Sequence, residues 1–260
     1  MRAFFILKNF LSKKTADVFY KILILNSVTL RSESDNHIKK KIMRILEIKL
    51  LTNSLVETEF FYKENLGFKV VEKTADRISF QIGSTVLYFQ QSDKIQKPVY
   101  HFAFDIPENN LLEALEWIRK RAKLIQFETH EIIDFSNWHA KSFYFYDNND
   151  NILECIVRYD LKNTSEATFN ANSFIKISEI GFVVKDVLGF CNTINKTYGT
   201  DFFVMQPRGE NFSVLGDNNG LFIVSGENRN WFPTKNKAQP FWSKVIFEND
   251  GKRLEMIFNP

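Results

Sequence analysis

The sequence predicts an α+β fold. Tandem β-α-β-β-β units form a cup-shaped mixed sheet, and a second, degenerate module follows. Three observations predict it. Tyr100-His101-Phe102-Ala103-Phe104-Asp105-Ile106 alternates, with Tyr100, Phe102, Phe104 and Ile106 on one side and His101, Ala103 and Asp105 on the other, the period of a half-buried strand. Segments with helical apolar spacing alternate with groups of such strands. The whole order recurs at a spacing of roughly 55 residues.

The elements follow in order. Strand Ile45–Leu51 opens the first unit, and Thr52-Asn53-Ser54 is a helix-start signal. The spacing predicts a helix from Leu55 to Asn65, closed by Gly67 as a C-cap. Strands Phe68–Glu72, Arg77–Ile82 and Thr85–Gln90 come next, the last two joined by the turn Gly83-Ser84. The second unit repeats this with strand Val99–Ile106, helix Asn110–Arg121 and strands near Gln126–Asp134, Lys141–Tyr146 and Asn151–Arg158. Residues 44–158 therefore read as one domain of two units, and 159–173 as a linker. Residues 174–260 read as a truncated second domain. It has strand Ile175–Lys185, helix Val187–Tyr198, strands near Asp201–Val204, Asn211–Gly216 and Leu221–Ser225, and a final pair Trp242–Glu248 and Arg253–Phe258 with no room for a helix between them. Two β-α-β-β-β units can pair to enclose a concave ligand site.

Bulk properties narrow the partners. A net charge of +3 over 260 residues is too small to argue for nucleic acid. Twenty-seven Phe point to thick, aromatic-rich sheets. Cys155 and Cys191 lie in separate halves, so no disulfide framework is indicated and the cytoplasm is the expected setting. Residues 1–42 are basic. Their apolar run Val18–Leu25 is broken by Lys21 and too short to span a bilayer, so no membrane association is expected. They read as an N-terminal extension, and the functional protein is expected to start near Met43.

Two motifs carry a family resemblance. Phe61-Tyr62-Lys63-Glu64-Asn65-Leu66-Gly67-Phe68 resembles the helix end F-Y-x-x-x-L-G-F of the vicinal oxygen chelate superfamily, which includes glyoxalase I, extradiol dioxygenases, and fosfomycin and bleomycin resistance proteins. Ser142 to Glu154 resembles that family's closing motif, a Y-F-x-D-P-D-G-N turn before a strand carrying Glu, with Asn148 and Asp150 replacing proline and glycine. The resemblance covers residues 44–158 strongly and 174–258 weakly.

This resemblance implies a divalent metal (Fe, Mn, Ni or Zn) held by first and last strands of paired units. Its ligand positions fall on Glu47, His101 and Glu154, with Glu154 also the catalytic carboxylate and Tyr88 near a fourth, non-ligand position. Lys49, Tyr88, His139 and Arg158 are expected around the substrate. The matching positions of the second domain fall on Glu179, Val224, Lys244 and Glu255. With no His among them and a lysine that would repel a cation, that domain is expected to be structural or dimerising. Modules of this kind pair within one chain or between copies, so a homodimer is one expectation. The activity implied is that of a metal-dependent isomerase or lyase on a small oxygen-chelating substrate. A ring-cleaving dioxygenase fits less well, since such relatives use two His and one Glu. A metal-free protein that sequesters an aromatic or drug-like molecule is the alternative, and His101 as a plain hydrogen-bonded strand histidine is the bland reading.

Overall fold

Fourteen strands and three helices build the described part of the chain. The computed structural model describes residues 41–94, 97–227 and 229–260, so the extension expected over 1–42 lies outside the described residues apart from Lys41 and Ile42. The first unit is β1 (Met43–Thr52), α1 (Leu55–Glu59) continued by a wider π-helical turn (Phe60–Asn65), β2 (Lys69–Lys73), β3 (Arg77–Ile82) and β4 (Thr85–Gln91). Ser54 caps the helix by accepting from the Glu57 N–H at 3.2 Å, as the helix-start signal predicts. Gly67 ends it at φ +70°, a conformation that favours glycine, while Phe68 N–H donates to the Tyr62 carbonyl at 2.9 Å.

The second unit is β5 (His101–Asp105), α2 (Leu111–Arg119), β6 (Lys123–Ile125), β7 (Ile133–Phe135), β8 (Ala140–Tyr146) and β9 (Ile152–Arg158). The third is β10 (Lys176–Val184), α3 (Val187–Tyr198), β11 (Phe212–Asp217) and β12 (Gly220–Gly226). The chain closes with β13 (Ser243–Asn249) and β14 (Lys252–Phe258). The strand expected near Asp201–Val204 reduces to a single bridge, Phe202 to Leu215. Pro207 and Gly209 stand just beyond it, and the short apolar run finds no partner long enough to extend along.

Two sheets result. One runs β14-β13-β1-β4-β3-β2, the other β11-β12-β10-β5-β9-β8-β6, with β7 on β8. Inside each unit the first strand lies parallel to the last: β1 to β4, β5 to β9, β10 to β12. Units join through antiparallel first strands, β1 to β13 and β5 to β10. The first unit is thus completed by the C-terminal pair, and the second unit by the third. Neither sheet is built from residues 44–158 alone.

Side chains of both sheets share one core. Phe222 of β12 packs on Phe247 of β13 at 5.0 Å between ring centroids, and Phe68 packs on both Phe104 (6.1 Å) and Phe174 (5.0 Å). The Thr85 hydroxyl donates to the Ile45 carbonyl at 2.9 Å and accepts from the Ile177 N–H at 3.1 Å, so it ties the two sheets. The two motifs behind the family resemblance touch. Buried Tyr62 donates its hydroxyl to buried Asp147 at 2.7 Å, and Asp147 also accepts from Asn149 N–H, Asn151 N–H and the Asn151 side chain. Strand β5 is buried on both faces rather than half-buried: one face meets the core, and aromatic loops roof the other. No helix among the described residues is long and apolar enough to cross a membrane.

Candidate functional site

The roofed face of the second sheet is where polar side chains meet. His101 of β5 pairs across from Ile152, and Ala103 from Glu154 of β9, so Glu154 sits two rungs along the parallel ladder from His101. Both project to the same face, because residues two apart share a side. Antiparallel β10 brings Glu179 opposite Ala103. These three residues form a buried cluster in which one ligand atom from each lies within 4.8 Å of the others. His101 Nε2 is 3.7 Å from Glu154 Oε2 and 3.9 Å from Glu179 Oε2.

A second layer orients them. His101 Nδ1 lies 3.0 Å from the Ile152 carbonyl. A carbonyl only accepts, so Nδ1 carries the proton and Nε2 presents its lone pair to the carboxylates when the ring is neutral. Fully buried Arg158 pairs with Glu179 Oε1 and lies 3.4 Å from Asp105, which Lys176 also approaches at 3.3 Å. Arg158 therefore engages one oxygen of Glu179 and leaves the other toward His101.

The electrostatics follow from this layering. Burial, then the charge of Glu179, push the Glu154 carboxyl up to about 7. Burial acts the same way on Glu179, but Arg158 and His101 outweigh it and hold that carboxyl below its ordinary value. Burial opposes a charge on His101, and Glu179 with Glu154 outweigh it, raising the imidazole. Two carboxylates and one imidazole with its lone pair held free fit a borderline-to-hard divalent ion. The register corrects the third-unit position related to Glu154 by one residue: Ile223, not Val224, stands opposite Gly181 and reaches the cavity, and its side chain offers no ligand.

Above the cluster lies a cavity of about 440 Å³. Its walls include Phe135, Trp138, Tyr144, Phe212, Trp231 and Phe232. Trp231 covers His101 with 5.4 Å between ring centroids. It can do so because residue 181 is glycine: a Cβ there would stand 2.5 Å from the Trp231 ring. The buried Trp231 indole N–H has no acceptor among the described residues.

Of the residues singled out from sequence, the structure brings His101, Glu154 and Arg158 together. It does not bring Glu47 to them. Glu47 lies on β1 in the other sheet, bonded to Arg253 at 2.6 Å, because β1 pairs with β13 and not with β5. Lys49 and Tyr88 are on that sheet too, the ammonium 4.7 Å from the ring centroid. His139 is exposed beside Asp160 at 3.2 Å, although Asn137 and Trp138 just before it reach the cavity. Glu179, assigned to a structural module by its lack of a neighbouring His, supplies the second carboxylate and third member of the cluster. Its signal was legible in the alignment of Glu179-Ile180-Gly181-Phe182 with His101-Phe102-Ala103-Phe104.

No protein-family model and no curated protein matches this sequence. Solved structures do. A Bacillus subtilis structure provisionally described as a dioxygenase matches with TM-score 0.54 and 13% identity, over 85% of this chain and 86% of its own. A glyoxalase/bleomycin resistance protein/dioxygenase from Alicyclobacillus acidocaldarius matches 45% of this chain and 94% of its own, at TM-score 0.37 and 19% identity. A lactoylglutathione lyase from Agrobacterium tumefaciens matches 44% and 92%, at TM-score 0.36 and 19% identity. With its paired β-α-β-β-β units and its match along most of that Bacillus subtilis structure, this chain shares the fold of that structure.

Proposed function

We propose that the protein is a metal-dependent enzyme acting on a small molecule that chelates the ion through neighbouring oxygens, in an isomerase or lyase reaction. The observation that carries this reading is the buried His101, Glu154 and Glu179 cluster at the floor of a half-open cavity with aromatic walls. These three would hold a divalent ion such as Fe, Mn, Ni or Zn, with Glu179 in the place first expected of Glu47. When bound, such an ion supplies Lewis acidity toward a substrate oxygen. The remaining work falls to the chain. Glu154 would be the carboxylate that takes up and returns the substrate's proton. Arg158 holds Glu179, the Ile152 carbonyl holds His101, and Trp231 lies over the His101 ring. A small-molecule substrate and a cytoplasmic setting belong to the same reading. A homodimer is not needed to complete the site, since both unit pairings close within one chain; sedimentation measures that state.

One observation favours the metal-free binding alternative: Arg158 with Glu179, and His101 beside Glu154, can balance charge without an ion. Metal content separates the two. Protein purified without chelator is expected to carry near-stoichiometric metal by mass spectrometry. His101→Ala and Glu179→Gln should lose it, and Glu47→Gln should keep it. Absence of metal in the wild type, with no uptake of Fe, Mn, Ni or Zn on reconstitution, would end the enzyme reading.

A further inference from the structure

The cavity has a cation that the floor does not use. Arg229 belongs to the loop after β12, not to the strands carrying the cluster, and its side chain lines the cavity. Its guanidinium lies over the Phe212 ring, 4.4 Å from the centroid. Among the described residues it makes no ion pair. Partial burial, with no acid beside it, lowers its pKa from the ordinary arginine value. The acids in the lining are engaged elsewhere: Asp134 with Lys141 at 3.3 Å and Ser136 at 2.5 Å, Glu179 with Arg158, and Glu154 beside His101. Nor is Arg229 a loose surface arginine. Its N–H donates to the Gly226 carbonyl at 3.1 Å, and its carbonyl accepts from Ala238 N–H at 2.9 Å, so the loop fixes where the side chain starts.

A half-buried guanidinium on an aromatic face, without a carboxylate, is a preorganised receptor for a planar anion. The same cavity is lined by the aromatic rings of Phe135, Trp138, Tyr144, Phe212, Trp231 and Phe232. A volume of about 440 Å³ falls within ordinary small-ligand pockets, roughly 300–1,000 Å³. We propose that the cavity takes a flat, apolar small molecule bearing a carboxylate, which Arg229 receives through paired N–H donors. This names the substrate class of the site and rests on the floor being its reacting end.

Calorimetry on the full chain as purified tests it, with 1-naphthylacetate and its uncharged analogue 1-naphthylacetamide. Neither relies on two neighbouring oxygens to reach an ion. The wild type is expected to bind the carboxylate about tenfold tighter than the amide, the usual worth of a charge-assisted pair. Arg229→Gln should erase that preference while leaving amide affinity within about twofold, and Arg229→Lys should retain part of it. Equal binding of both probes by the wild type, no binding of either, or a preference that survives Arg229→Gln would overturn the proposal. Metal content is read separately, so a failure at Arg229 leaves the floor standing, and a metal-free floor leaves the Arg229 result intact.

Discussion

Single residues decide the chemistry here, and Glu154 shows how. Its carboxyl is pushed up to about 7 by burial and by Glu179, while His101 is raised by the same two carboxylates. A metal needs both groups deprotonated, so binding releases protons. Affinity is therefore expected to rise with pH up to about 7, by about tenfold per unit for each proton displaced. A pH series of metal titrations checks this; a flat profile between pH 5.5 and 7 would show that the ion does not displace these protons. Tyr62 offers a stability counterpart. Its hydroxyl is one of four donors to buried Asp147, so Tyr62→Phe should cost about 1–3 kcal/mol in urea unfolding near neutral pH. Sequence made these two residues visible as parts of motifs, but not their contact, which crosses from one unit to the next. The same limit hid Glu179. A carboxylate in the apolar run Ile177–Val184 was conspicuous, yet it looked ligandless because its histidine partner stands on a strand of another unit.

At the scale of elements, alternation and turn chemistry placed most strands and all three helices within a few residues, because those signals are local. Strand β5 departed from its expected half-burial because its polar side is roofed by loops, and loop trajectories leave no periodic trace. That roof depends on one close approach. Gly181→Ala would drive a methyl carbon into the Trp231 ring, and overpacking of this kind costs about 1–3 kcal/mol. We expect a lower Tm and a Trp231 emission shifted to the red, read against Trp231→Phe as the reference. An unchanged spectrum would mean that the indole does not rest on β10.

At the scale of the molecule, the pairing of units was the part least legible. Each unit announces its own strands, but which first strand meets which is settled by long-range packing, through Thr85 with Ile177 and Phe222 with Phe247. The tandem 44–158 reading followed chain order, whereas both sheets draw strands from either side of 159–173. A fragment of residues 42–158 should consequently fail to unfold cooperatively, lacking partners for β1 and β5. Co-expression with residues 159–260 should restore the transition; a cooperative 42–158 fragment would contradict this pairing.

The same pairing sets an order of assembly during synthesis. Met43 meets Asn249, nearly the full span of the described chain apart, so β1 must wait with an unpaired edge until the last strands leave the ribosome. The middle sheet, β5 to β12, has all its strands well before then. Nascent chains arrested shortly after Gly226 has emerged should resist protease over residues 101–226 while still being cut within 43–91. That outcome would mean that the floor of the candidate site forms before β1 and β13 meet.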